Sequence, residues 1–548
     1  MVLTSGVWLR ILVAVSCLAP AAARGQASAT APIGDPLYED LDRLIDAGFI
    51  THVIVGQRPY SQDALRRLVV EARGRLDTSA VDALDPAIRA SVARLERRTA
   101  RAAVELIDGA ATRRLEVEPL ATLRVDALTT DAPTRPVPSN GLGTTEADLN
   151  ALTNYREGRV FPAGSTIGLE SQHWLQAGRV SVQLQPRLAL SDRRGGATTS
   201  DLSLQSALVR GVWDNVALTA GREYTQWAQA SEAGLFFSEN APTLDMIRVA
   251  SDHPFVLPGP FASLGIVGAT IQMADLGAST MNSHSRLVSY KVSVRPTNAL
   301  ELGATFANHF GGAGARNPSL LDRVIDLIPV IDIFRHHPDS TDVSSDKLLG
   351  VDGRLRIQSL ANLTLYLDAA LEDFDFHRLR SVFTEDAAYS AGASLPVLGA
   401  RSLSARVGMH STGLRFYEHH LITNGIAARR FILGDDLAHD AIGYYGSLTW
   451  NTRPDLRLSA TMHRETRRND EYLGGYTNPD LTGLVFTKVE DRPDEYRTRG
   501  LISVRWASPS NRAIVDVGTG LERTSNFGFV RAAPQVHAMG TVTVTTYR

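Results

Sequence analysis

From residue 115 to the C-terminus, apolar and polar side chains alternate with period two. In residues 179–190, Val180, Val182, Leu184, Leu188 and Leu190 fall on one face, and Ser181, Gln183, Gln185 and Arg187 on the other. A strand with that pattern is apolar on one side and polar on the other. The pattern recurs as Val288, Tyr290, Val292, Val294 against Ser289, Lys291, Ser293, Arg295, and as Leu300, Leu302, Ala304, Phe306 against Glu301, Gly303, Thr305. A membrane-spanning barrel requires it, because lipid needs an apolar exterior, the lumen accepts polar groups, and closure leaves no backbone edge unpaired.

Seventeen windows carry strand patterns: 115–128, 165–176, 179–190, 202–212, 216–227, 264–274, 287–295, 300–306, 349–358, 363–372, 387–395, 403–410, 442–450, 456–463, 501–506, 513–522 and 536–546. Single-chain barrels prefer even counts, so 16 or 18 strands are expected, with 18 favoured. Arg295-Pro296-Thr297-Asn298, Arg453-Pro454-Asp455 and Ser508-Pro509-Ser510-Asn511 supply tight hairpins for one rim. Long connections, 129–162, 228–263, 311–346, 421–440 and 465–498, belong to the other rim. The short turns should face the periplasm and the long loops the outside.

Before this region the periodicity changes to that of helices. Leu37, Leu41, Leu44 and Ile45 form a 3.6-residue stripe ended at Gly48; Pro59 and Ser61 announce a second helix, and Asp85-Pro86 a third. The expected organisation is a signal peptide over 1–25, a periplasmic helical bundle over 35–108 and an all-β transmembrane barrel over 113–548. In the signal, Arg10 precedes the apolar run 11–18, with cleavage between Ala23 and Ala27. The one cysteine, Cys17, lies inside it, preceded by Ala14-Val15-Ser16, a poor lipid-attachment motif. The mature chain therefore has neither disulfides nor thiolate metal sites.

A net charge of −3 without a basic block gives no basis for nucleic-acid binding. Outer-membrane lipid is the expected surrounding. Catalytic and cofactor chemistry is thinly represented. The pairs His336-His337 and His419-His420 lack metal-ligand spacing on a helix, and Gly311-Gly312-Ala313-Gly314 lacks the lysine of a phosphate loop. Asp368, Glu372, Asp373 and Asp375 lack calcium-loop spacing and read as a solvated strand end. No Gly-x-Ser-x-Gly elbow is present. No enzyme, cofactor or metal is expected.

The most distinctive stretch runs Gly221-Arg222-Glu223-Tyr224-Thr225-Gln226-Trp227, then Gly234-Leu235-Phe236-Phe237-Ser238-Glu239-Asn240-Ala241-Pro242, and on to Pro254 and Pro258. Near the N-terminus stand the 38–50 segment YEDLDRLIDAGFI and Gly56-Gln57-Arg58-Pro59-Tyr60-Ser61. Together with residues 363–374, these segments resemble the Wzi-type capsule assembly proteins, a family of outer-membrane barrels that hold capsular polysaccharide at the cell surface. Two departures are Ala228-Gln229-Ala230-Ser231, where the family tends to have a glycine-rich step, and the ending Tyr547-Arg548 in place of a final aromatic.

The resemblance implies an outer-membrane protein of a Gram-negative-type cell that binds or organises capsular or other exopolysaccharide without catalysis. It also leaves room for a periplasmic protein partner at the helical bundle. A sugar polymer calls for aromatic faces to stack on rings and planar groups to read hydroxyls and carboxylates. Arg222, Glu223, Tyr224 and Trp227, followed by Ser238 and Asn240, carry that chemistry and are the candidate ligand-binding residues. Blander roles are a membrane-interface aromatic for Trp227 and a lumenal ion pair between Arg222 and Glu223. A passive porin and an outer-membrane hydrolase are the alternatives in function.

Overall fold

The computed structural model describes residues 26–78, 85–107, 115–149, 157–230, 234–280, 282–315, 345–372, 379–398, 402–419, 425–476 and 484–548. The expected signal peptide, His336-His337, His420, Asp373 and Asp375 lie outside them. Eighteen antiparallel strands close into a barrel, each hydrogen-bonded to its sequence neighbours. They are β1 (Glu116–Thr130), β2 (Gly164–Ala177), β3 (Val180–Arg193), β4 (Thr198–Trp213), β5 (Val216–Glu223) and β6 (Leu244–Ser251). Next come β7 (Ile266–Asp275), β8 (Arg286–Arg295), β9 (Leu300–Phe310), β10 (Ser345–Ile357), β11 (Leu363–Glu372) and β12 (Ala387–Leu395). The last six are β13 (Leu403–Thr412), β14 (Ala441–Arg453), β15 (Leu456–Arg467), β16 (Glu495–Ala507), β17 (Ala513–Ser525) and β18 (Gln535–Tyr547). Closure runs through β1, which pairs with β2 on one side and with β18 on the other, Thr122 opposite Tyr547.

The strand missing from the seventeen windows is β6. It falls inside the stretch 228–263 that was expected to be loop. Its outward residues are Asp245 at the strand's start, then Ile247 and Val249 as lipid requires, but its inward residues include Leu244 and Met246, buried in an apolar cluster inside the barrel. With apolar groups on both faces, the period-two signal vanishes. The window 216–227 errs in the other direction. Its strand ends at Glu223, where the chain leaves the wall and enters the lumen.

The outward face is apolar along its length, with Ile167, Val182, Leu188, Val292, Leu367, Ile502 and Val542 all exposed. Trp450 and Trp506 point outward close to the tight turns that follow them, as interface aromatics do. The inward face is polar. Arg187 forks onto Asp126 at 2.5 and 2.9 Å, Arg159 joins Glu157 and Glu170, and Arg497 meets Glu522 at 2.7 Å. Such pairing is what makes buried charge tolerable. Asp368 and Glu372, read above as a solvated strand end, are buried on this face, because the lumen beside them is filled by protein.

Three helices precede the barrel: α1 (Leu37–Asp46), α2 (Gln62–Thr78) and α3 (Pro86–Ile107). Their apolar stripes meet in one cluster containing Leu41, Leu44, Ile45, Leu65, Leu68, Ile88 and Val92. The helices sit at the short-turn rim, where Arg94 of α3 donates to the Pro454 carbonyl of the β14–β15 turn. Arg98 of α3 lies 3.7 Å over the ring of Tyr547. That contact explains the unusual C-terminal ending. Tyr547 is out of register with Val536, Val542 and Val544 because it faces the lumen and packs against a helix instead of lipid.

Candidate functional site

The segment following β5 builds the inside of the long-loop end. Gly221 starts it with φ +130°, and a Cβ there would lie 2.2 Å from the Ala207 carbonyl oxygen, so the departing strand needs glycine. Beyond Glu223 the backbone pairs with the N-terminal loop: Arg58 N–H donates to the Gln226 carbonyl at 2.9 Å, and Gln226 N–H to the Arg58 carbonyl at 3.1 Å. The two segments that stand out in the sequence, 56–61 and 221–242, thus meet inside the barrel. Gln57 anchors the first of them to β7 and β8, donating to the Gly268 carbonyl and Ser293 Oγ and accepting from Thr270 Oγ1 at 2.8 Å. Val55 and Gly56 N–H groups bind the Glu301 carboxylate of β9.

The six candidate residues occupy different environments. Arg222 faces outward and forks onto Asp245 of β6, Nε to Oδ1 at 2.7 Å and Nη2 to Oδ2 at 2.6 Å. Glu223 faces inward, accepting from Thr30 Oγ1 at 2.6 Å and from Arg248 Nη1 at 2.8 Å. The lumenal pair is therefore Glu223 with Arg248, because neighbouring residues on a strand point to opposite faces. Tyr224 is buried, its carbonyl accepts from Arg248 Nη2, and burial pushes its phenol well above the ordinary value. Trp227 is 3% exposed and packs edge-on to Phe237 at 4.9 Å, so it is an interior residue and not an interface aromatic.

Ser238 and Asn240 are seam residues. Ser238 Oγ donates to the Gly434 carbonyl at 2.7 Å and caps Asn240 N–H, and Asn240 Nδ2 donates to the Ile432 carbonyl at 2.9 Å. These bonds hold segment 234–242 to loop 425–440. The joint buries Trp227, Leu235, Phe237, Ile432 and Leu433 against inward Leu244, Leu287 and Leu348 of the wall. This apolar plug packs inside the long-loop half of the barrel.

Chemistry suited to sugars also stands on the outward loops. Arg135 lies 4.7 Å over the Phe527 ring and 5.7 Å over Phe529, and it is paired with Glu495. Arg415 sits 4.8 Å over Phe486 while bound to Asp386, and Lys488 lies 6.0 Å from Tyr472 beside Asp470. Phe486, Lys488 and Tyr472 belong to a hairpin, Glu471–Tyr476 with Leu484–Glu490, separate from the barrel sheet. Arg430 forks onto Asp148 nearby in the same set of loops. The Arg135, Arg415 and Lys488 stations each join an aromatic face to a cation, a combination suited to ring stacking and carboxylate reading. Sequence reasoning passed over these residues, since the partners in each station are distant in sequence. Only the repeated pairing of aromatic and charged residues within long loops could have marked them.

Among the described residues no group of His, Cys, Asp and Glu side chains is placed to hold a metal ion. Comparison with known proteins supplies what the loops alone do not. The sequence profile of the family described as capsule assembly protein Wzi matches residues 137–536. Among solved structures, the fold is similar to Wzi of Escherichia coli, described as an outer-membrane protein involved in group 1 capsule assembly and as a carbohydrate-binding β-barrel. That likeness has a TM-score of 0.64 at 16% identity, covering 94% of this chain and 99% of that one. OprD of Pseudomonas aeruginosa aligns with a TM-score of 0.45 at 9% identity, over 79% of this chain and 94% of that one. No curated protein matches by sequence.

Proposed function

The chain belongs to the Wzi capsule assembly family of outer-membrane barrels, and from that premise we propose that it binds capsular or related exopolysaccharide at the cell surface without catalysis. The single observation carrying this reading is the family match over residues 137–536. A division of labour along the barrel accords with this reading. Short turns and helices face the periplasm, the plug closes the lumen, and the outward loops with Arg135, Phe527, Arg415, Phe486 and Lys488 contact the polymer. The Gly221 to Pro258 segment supports those loops from within, and of its six candidate residues Arg222 alone stands on the outer surface to join the contact.

Deletion of the gene in its host tests the reading. The expected result is less cell-bound polymer with unchanged total, and the combined variant Arg135→Ala, Phe527→Ala should lower the bound fraction while leaving the barrel heat-modifiable on gels. Unchanged bound and released fractions after deletion would overturn it.

Plugging separates this reading from a passive porin. The purified protein in planar bilayers is expected to stay closed, because Trp227, Phe237 and Leu433 fill the lumen with apolar side chains that admit no hydrated ion. Steady, wide openings of the unaltered protein would favour the porin.

A further inference from the structure

Below the plug the lumen holds a cavity of about 380 Å³ between α1 and strands β13 to β16. The inward face of those four strands there combines small hydroxyl residues, Ser404, Ser447, Thr449, Ser459, Thr461 and Ser503, which leave the space, with Arg406, Arg457 and Arg505. The opposite wall is the charged face of α1. There the acids are already engaged: Glu39 with Arg457 and Arg505, Asp42 with Arg58, and Asp46 with Arg354 and Ser394. Arg43 is different. It is 7% exposed, its Nη1 has no hydrogen-bond partner, and its Nη2 reaches only Ser404 Oγ at 3.5 Å. Among the described residues no carboxylate forms an ion pair with it. Burial, together with Arg457 alongside, lowers its pKa to about 10. The cavity lining extends from Glu239 of the plug to Leu395 and Pro396 at the short-turn rim.

We propose that this cavity is a second, internal carbohydrate site that takes one carboxylate-bearing sugar unit. Arg43 would bind the carboxylate through charge-assisted hydrogen bonds, and the Ser/Thr wall would meet the sugar hydroxyls. The volume lies within the range of small-ligand pockets. The nearby acids Asp40 and Glu39 are shared with Arg94, Arg457 and Arg505, so Arg43 is only partly compensated, and an anionic ligand offsets the rest of the cost of burying it. The lining reaches the short-turn rim, so the site would be filled from the periplasmic side, apart from the outer loops. This inference rests on the proposed polysaccharide function for its ligand class only.

The test is calorimetric titration of the full-length, detergent-solubilised protein with D-glucuronate, glucose, acetate and inorganic phosphate. Glucuronate should bind at least tenfold more tightly than each of the other three. Arg43→Gln should weaken glucuronate at least tenfold, and Ser459→Leu, which fills the cavity without touching a charge, should abolish the signal; both variants should remain heat-modifiable barrels. Absence of glucuronate binding, equal affinity for acetate or phosphate, or indifference to both cavity variants would each overturn the proposal. Gene deletion that still releases polymer, combined with no glucuronate binding, defeats the internal site while sparing the surface function.

Discussion

Replacing Trp227 by alanine should cost about 3–5 kcal/mol, the range for deleting a buried large aromatic, and should turn a silent barrel into a leaking one. The indole is 3% exposed and lies edge-on to Phe237, and its own N–H backbone group bonds the Phe237 carbonyl at 3.0 Å. It therefore holds together the two arms of the segment that enters and leaves the lumen. Alanine leaves a void inside the plug, and segment 234–242 keeps its hydrogen bonds to loop 425–440, those of Ser238 and Asn240 among them, but loses the ring that packs on Phe237. The strands need not change, since none of their ladder bonds involves the indole. Two measurements check this. Thermal unfolding should begin earlier than in the parent protein, and bilayer recordings should show brief openings that the parent lacks. An unaltered melting curve with a closed baseline would mean that Trp227 is not what seals the lumen.

The same residue shows what could be read from the chain and what could not. The wall was legible because lipid and lumen impose opposite demands on alternate residues, and β3, with Val182 and Leu188 outside and Gln183 and Arg187 inside, obeys both. Legibility failed where a third environment intervened. Met246 faces apolar protein inside the barrel, so β6 lost its alternation and was read as loop. Tyr547 faces α3, so the chain's ending seemed irregular. The distinctive segments stand out in the sequence, but the contacts they make do not. Arg58 and Gln226 meet across the lumen as backbone partners, and Ser238 and Asn240 bind main-chain carbonyls of a loop nearly 200 positions away. No local pattern encodes such a meeting. Residues that serve one fixed internal geometry tolerate little change, whereas the outward stations proposed as polymer contacts, such as Arg135 on Phe527 or Arg415 on Phe486, are free to vary. A recognisable motif and a ligand contact are then expected at different places in this architecture.

Asp40 tests whether the helices are part of the barrel or merely tethered to it. Its carboxylate is buried at the meeting of three elements: it accepts from Ser91 Oγ at 2.9 Å and from Arg94 at 2.5 and 2.7 Å on α3, and from Arg457 Nη2 at 2.7 Å on β15. Asp40→Ala strips Arg94 of its carboxylate and leaves Arg457 with Glu39 alone, and breaking a buried pair of this kind costs about 3–5 kcal/mol. That loss falls on the docking of the helices, since the barrel keeps its own ladder. Burial disfavours the charged form of Asp40, but Arg94, Arg457 and Arg43 outweigh it and hold the carboxyl well below the usual range. A depressed acid contributes stability that is complete above its unfolded value, near pH 4, and is lost as pH falls through the folded value. Acidification of the parent protein below about pH 4 should therefore reproduce part of the variant's behaviour, with no effect between pH 6 and pH 8. The readout is trypsin cleavage within α2 and α3 at neutral pH, where intact barrels resist: rapid trimming of the helices in Asp40→Ala, with the barrel preserved as a heat-modifiable band, is the expected result. Equal resistance of parent and variant would show that the apolar cluster of Leu41, Leu44 and Ile88 holds the helices without this charge network, and would assign the network to shaping the lumen instead.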